Sequence, residues 1–221
     1  MKFLRIKKNV VVLFFLFIVV LFSFFIILIL SQNMDINILG NINVNRNRQF
    51  DQVFVYITNS ADPVAFGIPA ILFFSGLLNN ESVLKKKAVY IGTAVISAAI
   101  FSNILKYIIN RPRPFVTYPY IEKLTSGGNP SLPSGHTSSA FVLATSISLA
   151  YPKWYVIIPA YTWAGAVGYS RMYLGVHYPS DVLLGAIIGA VSAYLCYKGQ
   201  QLLNEKKQNE KQNDWDNSNY R

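Results

Sequence analysis

The chain holds two histidines, His136 and His177, and both stand beside residues suited to work on an anion. His177 lies four residues before Asp181, so a helical or turn-like segment brings the two side chains to one side. There the carboxylate accepts the N–H of the ring nitrogen that faces it. That bond selects one tautomer and leaves the other ring nitrogen with a free lone pair, as a nucleophile requires. Pro179 between them marks the start of a helix, which puts Asp181 in a first turn, where negative charge is favoured. Lys106, Arg113 and Arg171 are candidate fixed cations, and an arginine fork matches the oxygens of a phosphoryl group in bidentate geometry. Pro133 suits a first helical position, so the backbone N–H groups near Ser134, Gly135 and His136 are expected to point outward at an anion. Gly135 also permits close backbone approach.

Each piece alone is common in proteins without any chemistry. Pro-x-Pro loops recur widely, an arginine at a membrane face meets lipid headgroups, and a single histidine is usually structural. Their joint placement, which uses both histidines of the chain, is what points to a site. No metal centre and no cofactor are expected. One cysteine, Cys196, and two histidines with Asp181 as the only acidic residue close to either are too few ligands.

What must position these residues is membrane-embedded. Of 221 residues, 52% are hydrophobic and 14% charged, which is more apolar than one soluble core of this size needs. The net charge is +10, but the basic residues gather at the ends of apolar runs, as orienting loop charges do, so nucleic acid is not an expected partner. Val10–Leu30 is an apolar run of about 21 residues, near the length that crosses the hydrocarbon. It is too long for a signal-peptide core and no small-x-small site follows it, so it reads as a retained first span. Val64–Leu78, Ala88–Ile109, Ser138–Tyr151, Trp154–Tyr169 and Val182–Tyr197 complete an all-α, six-span transmembrane bundle. Residues 1–197 form one membrane domain with its chemistry within 106–181, and 198–221, rich in Asn, Gln, Lys and Glu, read as a disordered cytoplasmic tail.

Lysine and arginine counts set the orientation. Lys2, Arg5, Lys7, Lys8, Lys85, Lys86, Lys87, Lys153 and the basic tail fall on one side, which makes that side cytoplasmic and puts both termini there. Arg46, Arg48, Lys106, Arg111, Arg113, Lys123 and Arg171 fall on the other side, several against the gradient, and such an outer-face cluster points to an anion site. Between the first two spans, Phe50, Val53, Phe54, Tyr56 and Ile57 are spaced as on an amphipathic helix lying on that outer surface.

The order Lys106-x6-Arg113-Pro114, then Pro133-Ser134-Gly135-His136, then Ser170-Arg171-x5-His177-x3-Asp181 resembles the three-part signature of the type-2 phosphatidic acid phosphatase family, membrane relatives of the vanadium haloperoxidases. The match covers about a third of the chain. The resemblance implies that Lys106, Arg113, Ser134, Gly135 and Arg171 bind the phosphoryl group and that His177 attacks phosphorus to form a phosphohistidine. Asp181 then orients His177, while His136 protonates the leaving lipid oxygen and activates water. The implied partner is a lipid phosphate or diphosphate within a bacterial cell membrane: undecaprenyl diphosphate, phosphatidylglycerol phosphate or phosphatidic acid. Oligomeric state stays open.

Two other outcomes use the same motifs: transfer of the phosphoryl group to a lipid or sugar hydroxyl, and a non-catalytic lipid-phosphate-binding protein. A haloperoxidase fits poorly with six spans and short loops. The outer loop from Phe115 to Leu132, about 18 residues, is too small for a closed soluble pocket, so a lipid headgroup is expected to enter laterally from the bilayer. Arg111-Pro112 duplicates the Arg113-Pro114 pair, and Arg111 is available to headgroups or to a second phosphate, which puts polyprenyl diphosphate slightly ahead as substrate.

Overall fold

A computed structural model describes residues 32–128 and 130–219. The first span expected at Val10–Leu30 lies outside the described residues. Among those described, the chain folds into helices joined by loops and turns, without strands. They are α1 (Gln32–Val44), a 3-10 turn at Arg48–Phe50, α2 (Asp51–Asn59), α3 (Ala61–Leu78), α4 (Ser82–Ile109), a single turn α5 (Pro114–Thr117), α6 (Gly135–Ala150), α7 (Trp154–Tyr173) and α8 (Pro179–Asn219).

Local chemistry sets the ends that matter. α4 stops at Asn110, which adopts the left-handed conformation (φ 46°) and returns its N–H to Lys106 O at 2.9 Å, and Pro112 prevents the helix from resuming. α8 opens on Pro179, as its fixed φ favours, with Asp181 in the first turn. α6 departs from the expectation drawn from Pro133. Ser134 is its N-cap and Gly135 its first residue, so Pro133 lies outside the helix.

α6 is the central helix and packs on α8, α7, α4 and α3. Its sequence carries no Asp, Glu, Lys or Arg and is rich in Ser, Ala and Thr, so it can be enclosed at little cost, with Thr137 bonded to Ser134, and Ser138 and Thr145 to neighbouring helices. Two glycines of α8 set the closest approach. A Cβ at Gly185 would sit 2.6 Å from Ser134 O, and one at Gly189 would sit 2.5 Å from Ser138 O. Only hydrogen fits there, the small-xxx-small way of bringing membrane helices into backbone contact. Ser102 Oγ donates to Ser138 Oγ at 3.0 Å and Tyr90 Oη to Ala193 O at 3.2 Å, tying α4 to α6 and α8.

Among the described residues, three helical stretches are long and apolar enough to cross a membrane: Arg48–Leu78, Ser82–Thr117 and Pro179–Glu210. α6, at 16 residues, and α7, interrupted by Ser170, Arg171 and several tyrosines, are shorter or more polar than these. α6 packs against all three, whereas α7 packs on α6, α2 and α8 and leaves Trp154, Tyr155 and Ile158 exposed. The segment beyond Lys198 is described as the continuation of α8 to Asn219 rather than as an unstructured tail.

The lysine-rich turns lie together at one end. Lys87 Nζ stands 3.8 Å over the Tyr151 ring, and Gln200 Nε2 donates to Lys86 O at 3.0 Å. The C-terminal ends of α4 and α7 and the N-terminal ends of α6 and α8 meet at the other end.

Candidate active site

At that meeting of helix ends is a cavity of about 470 Å³, lined by Lys106 and Arg113 from the end of α4 and beyond, Gly135 and His136 from α6, Arg171 from α7, and His177 from the α7–α8 turn. The three sequence clusters therefore converge. Asp181 stands directly behind His177 and Ser134 directly behind Gly135.

His177 is 1% exposed and Asp181 0%. His177 Nδ1 lies 3.3 Å from Asp181 Oδ2, and Nε2 lies 3.0 Å from Arg113 Nη1. A guanidinium can only donate, so Nε2 must be the acceptor and the proton must sit on Nδ1, pointing at Asp181. The ring is neutral. Burial, and then the positive charges of Arg113, Arg171 and Lys106, hold its proton affinity well below the ordinary histidine range. The structure thus presents at the cavity wall a neutral imidazole whose Nε2 lone pair is covered by a single arginine N–H.

Asp181 accepts from Ser131 Oγ (2.5 Å) and the Tyr178 amide (3.0 Å) at Oδ2, and from Arg111 Nη1 (2.8 Å) at Oδ1. Every contact brings a donor, as an ionised carboxylate demands.

The cations hold themselves in place without carboxylates. Lys106 Nζ donates to Pro130 O at 3.1 Å. Arg113, 4% exposed, donates through Nε to Gly128 O (2.6 Å) and through Nη1 to Val176 O (2.8 Å). Arg171, 2% exposed, donates to Thr58 Oγ1 (2.5 Å) and Ser126 O (3.3 Å), and its buried Nε has no partner. No carboxylate lies within ion-pair distance of any of the three among the described residues. Three cations face one cavity, one of them with an unsatisfied N–H, an arrangement chemically suited to an anion.

Ser134 is placed differently from its neighbours. Its amide donates to Asp181 O at 3.0 Å, its Oγ accepts from Thr137 Oγ1 at 2.8 Å, and it does not line the cavity. Gly135 and His136 do.

Arg111 overturns the expectation placed on it. It is engaged by Asp35 and Asp181 at 2.8 Å each, with its guanidinium 3.9 Å over the Tyr178 ring, and does not line the cavity. It is not a spare cation for a second phosphate.

Sequence reasoning missed Asp62, Asn103, Ser126, Gly127 and Ser139 among the lining. Asn103 and Ser139 lie three residues from Lys106 and His136 on the same helices, a spacing that could have found them. Asp62 arrives from α3, and no spacing within the chemistry-bearing motifs points to it. Beside the cavity, between α3 and α4, runs an apolar groove of about 400 Å³ lined by Phe66, Ile96, Ala99, Ile100, Asn103, Ile104 and Tyr107, three of which also line the cavity.

Residues 87–205 match the family described as the PAP2 superfamily. The chain is 27% identical over 157 residues to undecaprenyl-diphosphatase BcrC of Bacillus subtilis, covering 71% of this chain and 78% of that one. It is 36% identical over 88 residues to lipid A 4'-phosphatase of Bacteroides thetaiotaomicron, covering 40% and 39%. Among solved structures it resembles a PAP2-type phosphatidylglycerolphosphate phosphatase from Bacillus subtilis, with a TM-score of 0.63 at 28% identity over 83% of this chain and 95% of that one. It also resembles Aquifex aeolicus LpxE, with a TM-score of 0.62 at 26% identity over 75% and 95%.

Proposed function

The chain belongs to the PAP2 superfamily, and from that premise we propose that it is a membrane lipid phosphatase working through a phosphohistidine, without a metal. The observation that carries the mechanism is the His177 geometry: proton on Nδ1 toward Asp181, lone pair on Nε2 beside Arg113, three carboxylate-free cations around it.

A phosphoryl group entering the cavity competes for Arg113 Nη1 and uncovers the lone pair. Lys106, Arg113 and Arg171 take its oxygens, and the free N–H groups at the start of α6, at Gly135 and His136, add partial positive charge. Burial and the charge of Arg171 lower the His136 pKa to about 4 without a bound anion. The phosphoryl charge offsets those cations, so His136 takes up a proton as substrate binds. As Nε2 forms its bond to phosphorus and the bond from phosphorus to the lipid oxygen breaks, His136 gives that proton to the leaving oxygen. In the second step His136 takes a proton from water, whose oxygen attacks phosphorus. The N–P bond breaks, and inorganic phosphate leaves with His177 neutral again. Ser134 acts through its amide, which fixes the start of α6 to Asp181.

The proposed substrate is a lipid that keeps its tail in the bilayer while the headgroup reaches the cavity. The apolar groove between α3 and α4, continuous with the cavity, supports this lateral route. Arg111 no longer argues for a diphosphate. Similarity to an undecaprenyl-diphosphatase over 71% of this chain keeps polyprenyl diphosphate first, ahead of phosphatidylglycerol phosphate and phosphatidic acid. We further propose six spans with both termini cytoplasmic and the site on the outer face of the cell membrane. The gathering of Lys86, Lys87 and Tyr151 at the end opposite the site supports that orientation.

The decisive assay measures phosphate release by the purified chain from long-chain polyprenyl diphosphate, phosphatidylglycerol phosphate, phosphatidic acid and a water-soluble phosphate ester, in excess chelator. Preference for a lipid with release of free phosphate, no labelled second lipid, and loss of activity in His177→Ala are expected. Equal efficiency on the soluble ester would refute lateral access, and strict dependence on magnesium would refute the metal-free route. A cysteine at Gly128 labelled only from the cytoplasm would reverse the orientation, with Cys196 as the only background thiol.

A further inference from the structure

Arg111 lies outside the cavity yet is bound into the catalytic dyad more tightly than a structural ion pair requires. One arm, Nη1, donates to Asp181 Oδ1 at 2.8 Å and to Ser180 Oγ at 2.7 Å, and the other, Nη2, donates to Asp35 Oδ2 at 2.8 Å. Asp35, 5% exposed, belongs to α1, far away in sequence. It accepts the Ser180 amide at 3.0 Å and the Ser180 hydroxyl as well. The result is a continuous chain, Asp35 to Arg111 to Asp181 to the neutral His177, in which the guanidinium is, among the described residues, the only cation touching Asp181.

We infer that Arg111 is a positioning residue for the nucleophile and that Asp35 holds it there, so that the surface helix α1 forms part of the catalytic apparatus. This rests on the histidine-nucleophile reading above. Asp181 is completely buried, and its Oδ1 has no other donor among the described residues. Without Arg111 the carboxylate is held through Oδ2 alone, by Ser131 and the Tyr178 amide, with Oδ1 undonated and no cation in contact, so its tilt is less fixed and Nδ1 of His177 faces a less well oriented acceptor. Two charges drawing on one guanidinium from opposite sides also keep Arg111 from swinging into the cavity to act as a phosphate ligand. Arg111 therefore acts on the rate of phosphorus attack through Asp181, and substrate affinity is left to Lys106, Arg113 and Arg171.

The test uses the full chain in detergent with long-chain polyprenyl diphosphate. Arg111→Gln should lower kcat about 10–100-fold, the size seen when partners behind a reactive group are removed, and change KM by less than about threefold. Arg111→Lys should lie between the two. Free guanidinium should restore part of the kcat of Arg111→Gln, which an unfolded variant could not show. In an Asp181→Asn background Arg111→Gln should cost little more, because the residue it acts through is already altered. Asp35→Asn should lower kcat in the same way but less, again at near-constant KM. A kcat within about twofold of the unsubstituted chain, a loss confined to KM, or a full multiplicative loss on top of Asp181→Asn would overturn the inference. Undiminished phosphate release by His177→Ala would instead bring down the nucleophile reading itself, whatever Arg111→Gln does.

Discussion

Arg171→Met separates what the cavity does for binding from what it does for stability. Arg171 is enclosed, its partners Thr58 Oγ1 and Ser126 O are uncharged, and its Nε bonds to nothing. The unliganded protein thus holds a buried cation without a contacting counter-ion, a situation that costs several kcal/mol. Methionine has similar length and no charge. It forfeits two hydrogen bonds, together about 1–3 kcal/mol, and removes the charge-burial cost, so unliganded stability should stay level or rise. The bound anion feels the opposite. A hydrogen bond to a charged group contributes about 1.5–3 kcal/mol, and a fork supplies two, so kcat/KM should fall about 100-fold or more. Thermal unfolding with orthovanadate as phosphate mimic provides the second arm. At about 100 times its Kd, vanadate should stabilise the unsubstituted chain by about 2.7 kcal/mol, or about 5–10 °C in Tm, and leave Arg171→Met nearly unmoved. A variant that keeps kcat/KM within about threefold yet melts several degrees lower without ligand would refute this reasoning and make Arg171 a structural residue.

His177 should remain neutral with its proton on Nδ1 at about pH 6, where a free histidine is largely charged, and long-range nitrogen-15 NMR can read this because the chain has only two histidines. Because the folded state resists that proton while the unfolded chain accepts it below about pH 6.5, stability should be complete above that pH and fall by up to about 1.4 kcal/mol per unit below it. His177→Gln should lack that component in Tm against pH. His136→Ala should form phosphoenzyme more slowly on poor leaving groups and break it down more slowly, about 100-fold or more overall, in rapid-quench measurements. Gly189→Leu, whose Cβ would meet Ser138 O at 2.5 Å, should cost about 1–3 kcal/mol or more and lower Tm, since α6 and α8 cannot part without opening the site.

Local spacing made the reacting core legible. His177 and Asp181 are four residues apart, Pro179 opens α8 between them, and the left-handed Asn110 with Pro112 ends α4 where Lys106 and Arg113 become loop-facing cations. All of these are consequences of chain geometry within one or two turns. The placement of Pro133 misled for the opposite reason, because Ser134 at the helix start is bonded to Asp181 O of another helix and packed against Gly185. Arg111 and Asp62 could not be read at all. An arginine two residues from a phosphate ligand has the same local sequence whether it turns into the cavity or away from it. What turns it away is Asp35, 76 positions distant, on a helix whose own sequence shows only polar and apolar residues mixed.

That division has a physical root in the membrane setting. A charge near the bilayer costs so much unpaired that each one must be answered by another group, and the answers cross between helices rather than along them. Arg46 is answered by Asp51 and Glu122, and Arg111 by Asp35 and Asp181. Lys106, Arg113 and Arg171 meet only neutral groups: carbonyls, the Thr58 hydroxyl and the His177 ring. The unanswered set is therefore the informative one. Counting cations on the expected outer face could not separate it from the paired set, but the pattern of pairing does: the three that flank His177 touch no carboxylate among the described residues, although Asp62 lines the same cavity, and this is the arrangement that the proposed phosphoryl group would complete.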